Sequence, residues 1–420
     1  MSTGIQDALR RGPSSAVHMV KTQAELYPHV QSGDLALRRS AVPVIHRRRT
    51  QQVYLASTTP ETALASGGFA DIRLQGCDVI DSIVLRLTVS NATGAALSQW
   101  FGKWAWSLIS HVDVLAEGGS VTLETIHSEH MIREWALLDR DRHLAVHKGL
   151  TGDQDAAVVG AAPPTIPDGT SRTIYIPLLG SMLSSLELAP FALASPLILR
   201  VYFNAAAFVG PYLAQQLPNG KAGLSISAFD AVVTAHLYDN SERQGLTSRY
   251  ALAGIKTPPL ALRYARSGQQ RSVENITSTS GFFNLRLSSI QGLITSMNVI
   301  VRDLTLGGTG TFYAVQAVDL LDEKGASVYG QPLDFDLLLA TECRDQGITA
   351  EDVELSRVTP IPIGGESTEH SGAISSYIVM NGNHVLALQM PFVGAAEITV
   401  IYRSVSHASI SKSHVTVHAS

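Results

Sequence analysis

One strand-and-turn phrase occurs twice in this chain, and it constrains the fold more than any other feature. Val112-Asp113-Val114-Leu115-Ala116-Glu117-Gly118-Gly119 returns as Val318-Asp319-Leu320-Leu321-Asp322-Glu323-Lys324-Gly325, displaced by 206 positions in a chain of 420 residues. Each copy alternates apolar and polar side chains and then enters an acidic, glycine-containing turn, as a strand does at a tight connection. A displacement of 206, close to half of 420, implies a duplicated β unit, so any function has to use two similar units in one polypeptide.

Two fainter echoes keep the same order. Phe69 to Leu74 followed by Ile80 to Leu85 returns as Phe282 to Leu287 followed by Ile294 to Val299, at offsets of 213 and 214. Tyr175-Ile176-Pro177 through Leu197 to Tyr202 pairs with Tyr377-Ile378-Val379 through Glu397 to Tyr402, at offsets of 202 and 200. Strand phrases carry little information singly; three in one order carry more.

Composition agrees with paired β units that hide surface. Charged residues make up 16% of the chain, against about 25% in typical soluble domains. The longest apolar stretch, Ala192 to Ala214, is interrupted by Pro196, Arg200, Asn204 and Pro211, short of the run that spans a bilayer. A soluble protein is the expectation. The N-terminus lacks the basic-then-apolar order of a secretory signal. Two cysteines, Cys77 and Cys343, exclude a disulfide scaffold and suit a reducing cytosol at synthesis.

Charge is distributed unevenly. The net charge is −5, yet residues 1–50 carry Arg10, Arg11, Lys21, Arg38, Arg39, Arg47, Arg48 and Arg49 against Asp7, Glu25 and Asp34. A basic arm on an acidic body suits an anionic partner such as nucleic acid, lipid headgroups or another subunit. Within the arm, Ser14 and Ser15 cap an expected helix carrying Ala16, Met19, Val20, Ala24 and Tyr27, which Pro28 ends.

Strands are predicted over Phe69 to Asn91, Ile109 to Leu123, Arg172 to Leu179, Pro196 to Phe203 and Ala228 to Tyr238. A helix is predicted from Glu124 to Leu138, with Met131, Trp135 and Leu138 as its apolar stripe and Glu129 paired to Arg133. Residues 148–172 read as a long exposed loop. Residues 241–272, with Pro258-Pro259 and six basic side chains against Glu242, read as a linker. Acidic residues gather from Glu342 to Glu354, and a Gly/Pro-rich stretch runs from Pro360 to Gly372. At the end, Val415-Thr416-Val417 is placed to add a strand to a neighbour.

Catalytic constellations are scarce. His127-Ser128-Glu129-His130 spaces its histidines at i and i+3, whereas the zinc-protease helix needs i and i+4. Gly118-Gly119, Gly307-Gly308-Thr309-Gly310 and Gly364-Gly365 lack the neighbours of a phosphate loop. No nucleophile elbow is present. Asp334, Asp336, Glu351 and Glu354 form the one candidate carboxylate set for sugar chemistry, but aromatic residues are only 6% of the chain. No enzyme activity, cofactor, metal or small-molecule substrate is expected. The alternative kept open is a carbohydrate-binding or carbohydrate-active two-sandwich protein.

The segment His111 to Val121, followed by a helix carrying Trp135, resembles the first jelly roll of double jelly-roll major capsid proteins. So does Ile174 to Leu179, leading through Leu188 to Leu193 to Pro196 to Phe203. These proteins build the shells of tailless icosahedral viruses, both tectivirus-like phages and large DNA viruses, with a bacteriophage as the expected source here. The resemblance covers roughly 69–240 directly and 281–404 through the repeat.

What the resemblance implies is an all-β chain of two tandem eight-stranded antiparallel jelly-roll sandwiches with short helices and an N-terminal helical arm. The implied division is arm 1–68, first jelly roll 69–240, linker 241–272, second jelly roll 273–405 and tail 406–420. It further implies a structural protein that trimerises into pseudo-hexameric capsomers and tiles an icosahedral virion. The implied partners are two sister chains, neighbouring capsomers, penton and minor capsid proteins, with internal membrane lipid or genome met by the inward-facing basic arm. Synthesis and assembly would take place in the host cytoplasm.

Overall fold

The computed structural model describes residues 49–56, 68–92, 94, 108–131, 166–178, 183, 189–204, 224–238, 240–304, 312–338, 358–363 and 378–418. Among these residues eight strands lie in the first half: β1 (Arg49–Ala56), β2 (Phe69–Leu74), β3 (Val79–Asn91), β4 (Ile109–Ala116), β5 (Val121–His127), β6 (Thr170–Pro177), β7 (Leu197–Phe203) and β8 (Leu224–Leu237). They form two four-stranded antiparallel sheets, ordered β1-β8-β3-β6 and β2-β7-β4-β5. Except at the β4–β5 hairpin, strands alternate between the sheets as the chain advances, which is jelly-roll topology.

Side-chain alternation explains the sandwich. On β3, Ile83, Leu85, Leu87 and Val89 are buried while Arg86, Thr88 and Ser90 lie on the other face. A register shift between Ile80 and Ser82 resets the phase, so Val79 and Ile80 are both buried. Facing pairs also tie the outer side: Arg86 salt-bridges its neighbour Asp230 across β3 and β8, and Thr88 bonds Thr173 at 3.0 Å.

A helix, α1 (Asn240–Leu252), follows β8. The second half then repeats the plan with β9 (Leu260–Ile276), β10 (Phe282–Arg286), β11 (Gln291–Asp303), β12 (Phe312–Tyr313), β13 (Ala317–Leu321), β14 (Leu333–Asp334), β15 (Val358–Ile361), β16 (Ile378–Asn381), β17 (Val385–Gln389), β18 (Gly394–Ser411) and β19 (His414–His418). One sheet runs β10-β17-β13-β14. In the other, β9, β18 and β11 lie side by side, and β16, β15 and β12 pair in turn along the outer edge of β11 as a segmented fourth lane. Lane for lane, the two sandwiches share one order.

The repeat phrases can therefore be placed. Val112 and Val318 lie on β4 and β13, Phe69 and Phe282 on β2 and β10, Ile80 and Ile294 on β3 and β11. These are equivalent strands. Half of the third pairing is overturned: Leu197 to Tyr202 is β7, whereas Glu397 to Tyr402 lies on β18, and the equivalent of β7 is β17. Both are near-continuous apolar runs, and such runs do not distinguish one buried strand from another.

Other expectations shift as well. Arg49, assigned to the arm, opens β1, which pairs along its whole length with β8; residues 1–48, with the expected helix and Arg10, Arg11, Lys21, Arg38, Arg39, Arg47 and Arg48, lie outside the described residues. The linker at 241–272 holds α1 and most of β9, because the alternating residues after Pro259 pair with all of β18 from Gly394 to Ile410. Glu124 to His127 is strand, and helical residues begin only at Ser128. Trp135, Leu138 and Arg133 lie outside the described residues, as do Cys343 and 342–354. The loop 148–172 gives way to β6 at Thr170. Val415 to Val417 belongs to β19, which pairs with β18 of its own chain. Among the described residues no helix is long and apolar enough to cross a membrane.

Candidate assembly site at the junction of the sandwiches

Two hydrophobic clusters divide the core. Leu85, Val114, Leu199 and Val233 belong to the first, and Met297, Leu320, Leu388 and Val400 to the second. The first also takes in Ile300, Val358, Ile401, Ala408 and Ile410 from the second sandwich. The β9-β18-β11 sheet is therefore buried on both faces, by its own partner sheet and by the first sandwich. That accounts for the unbroken burial of β11 from Ser296 to Val301 and the apolar richness of β18.

Polar contacts line the same junction. Tyr264 on β9 donates its hydroxyl proton to the Leu123 carbonyl of β5 at 2.8 Å, and burial pushes that phenol up to about 12. Glu129 meets Arg271 at 3.2 Å, and Arg271 and Arg302 flank Glu397 at 3.9 and 3.1 Å. The buried Arg403 guanidinium donates from Nε to His130 Nε2 at 3.0 Å. Arginine cannot accept a hydrogen bond, so His130 carries no proton on that nitrogen. The residues that suggested a weak zinc motif thus join two sandwiches, and among the described residues no group of metal-binding side chains is present.

A row of rings crosses the outer side of the first sandwich from β2 to β5. Phe69, Tyr202, His111 and His127 occupy successive register positions. Ring centroids are 5.7 Å apart for Phe69 and Tyr202, 4.1 Å for the stacked Tyr202 and His111, and 5.7 Å for His111 and His127. Burial, then the nearby His111 and Arg271, depress His127 to about 4. Burial lowers His111 as well, against the pull of Asp113. Beneath lies a charged row, in which Arg200 holds Asp71 through two bonds of 2.7 and 2.9 Å and covers Phe69 with its guanidinium.

The candidate sugar-site carboxylates do not converge in what is described. Asp334 accepts the Leu337 amide at 2.8 Å as a local cap, Asp336 is exposed, and Glu351 and Glu354 lie outside the described residues. Buried Cys77 is inert as a nucleophile, its thiol pushed up to about 11 by desolvation and then by Asp78. The junction residues His130, Tyr264, Arg271 and Arg403 were not identifiable as a group from sequence. The one local signal was the run Ile398 to Tyr402, too apolar for a strand with a wet face.

A scan against family models finds no match to this sequence, and a search of curated proteins finds none either. Solved structures do match. The PBCV-1 virus capsid aligns at a TM-score of 0.62 with 10% identity, over 89% of this chain and 97% of that one. The Faustovirus major capsid protein aligns at 0.59 with 9% identity, over 97% and 98%. The MCP of STIV, the Sulfolobus Turreted Icosahedral Virus, aligns at 0.51 with 14% identity, over 85% and 97%. With two sandwiches of one strand order packed together in one chain, this chain has the double jelly-roll fold of viral major capsid proteins.

Proposed function

We propose that this chain is a structural major capsid protein that trimerises into pseudo-hexameric capsomers and tiles an icosahedral virion shell. The observation that carries the reading is the duplication itself, two topologically equal sandwiches fixed side by side, in a fold shared over nearly the full length of known capsid proteins. Three such chains around a threefold axis present six similar units, so a near-sixfold tile follows from ordinary cyclic symmetry. The work is assembly rather than catalysis, and the protein resides in the virion after synthesis in the host cytoplasm. Its partners are sister chains, neighbouring capsomers, and penton and minor capsid proteins.

The test is size. Sedimentation of the purified protein is expected to show a stable trimer of about 135 kDa, three times the 44.9 kDa chain; a persistent monomer would remove the proposal. The basic arm of residues 1–48 is proposed to face inward, toward lipid or genome, since its charge seeks anions. Limited proteolysis of intact particles should then cut the arm more slowly than 148–172 and 360–372. Equal rates would place the arm outside.

A further inference from the structure

We infer that the β18–β19 hairpin is a clasp that fastens the second jelly roll onto the first, with the Glu117 carboxylate as its catch. The tip of the hairpin is a two-residue turn, Lys412 and Ser413, with φ of 54° and 64°. That is the left-handed pair a tight hairpin requires, here without the glycine or asparagine that adopts it easily. Such a turn persists only where its surroundings hold it.

They do so from three sides. The Lys412 amide donates to the Ala253 carbonyl at 2.8 Å and the Ser413 amide to the Tyr250 carbonyl at 3.0 Å, both around the end of α1. The Ser413 carbonyl accepts the Ala194 amide of the first sandwich at 2.9 Å. Glu117, in the β4–β5 turn, accepts the Val415 amide through Oε1 at 2.7 Å and meets His414 Nδ1 through Oε2 at 2.7 Å. The Lys412 amide and both the amide and the carbonyl of Ser413 are thus matched by groups outside the hairpin.

Two further features mark the cradle as shaped for this tip. Glu117 itself sits at φ 52°, a conformation unfavourable to glutamate that aims its carboxylate at β19. Gly254, at φ +73°, approaches so closely that a Cβ there would lie 2.0 Å from Ser411 Oγ. Below the tip, Ile410 and Val415 are buried in the first sandwich's hydrophobic cluster. The inference stands without the shell reading, since every group belongs to one chain.

Hydrogen exchange on the full-length protein tests it. In Glu117→Ala, exchange at the Val415 amide is expected to accelerate roughly tenfold or more, with Lys412 and Ser413 following, because a bond to a charged acceptor is lost. Amides of Leu85 in β3 and Leu386 in β17 should keep their wild-type rates. Glu117→Gln, which retains an oxygen for the Val415 amide, should fall between, and it carries the same comparison should the alanine variant fail to fold. Unchanged exchange at the tip overturns the clasp. So does uniform acceleration through both sandwiches, which would make Glu117 a determinant of the fold at large.

Discussion

Leu320→Ala is expected to destabilise the protein by about 2–5 kcal/mol, the range for emptying a fully buried leucine site. Leu320 lies on β13, faces Leu386 of β17 in register, and is 0% exposed within the second hydrophobic cluster. Its neighbours are held by two sheets, one of them also packed against the first sandwich, so the void has little room to collapse. The repeat supplies an internal comparison. Val114 on β4 is the equivalent residue and is equally buried, but truncating valine to alanine removes two carbons rather than three, so Val114→Ala should cost less. Urea unfolding of both variants measures the difference; a cost below about 1 kcal/mol for Leu320→Ala would show that the second core is loosely packed.

Acidification should weaken the junction through His127. Its pKa falls from the ordinary 6.5 to about 4 in the folded protein, through burial first and then the neighbouring His111 and Arg271. The unfolded chain therefore binds the proton more tightly than the folded one. Stability is full above pH 6.5 and declines as the pH drops toward 4, by roughly 3 kcal/mol at about 1.4 kcal/mol per unit. His111 is shifted in the same direction, while Asp113 and Glu129, close to His111 and Arg271 respectively, temper the added positive charge. His127→Gln keeps a polar side chain without the titration. Thermal unfolding across this window should show a shallower acid loss in that variant than in wild type; parallel profiles would assign the acid sensitivity elsewhere.

What could be read directly was the duplication and the strands that alternate. Val112, Phe69 and Ile80 each found their counterparts on equivalent strands, because one-sided burial writes itself into the chain as a period of two. Where burial is two-sided that period vanishes, which is why Glu397 to Tyr402 on β18 was matched to β7. The extent of β9 was hidden by Pro258-Pro259 and by polar residues such as Gln269, Gln270 and Arg271, which suit a linker as well as an edge strand. The junction was illegible for a different reason. His130 and Arg403 are 273 positions apart, and only the closed fold makes them neighbours. Glu117 was visible as a turn residue, but its grip on Val415 depends on a left-handed backbone that no spacing announces.

The segmented lane beside β11 has a consequence for solubility. In the first sandwich the corresponding position is filled by β6, eight residues long. In the second it is divided among β16, β15 and β12, of four, four and two residues. A foreign strand seeking to extend a sheet needs a long, straight rail of unpaired amides and carbonyls. Among the described residues the rail comes in pieces this short and offers no continuous template, so this flank is expected to resist amyloid-like growth at high concentration.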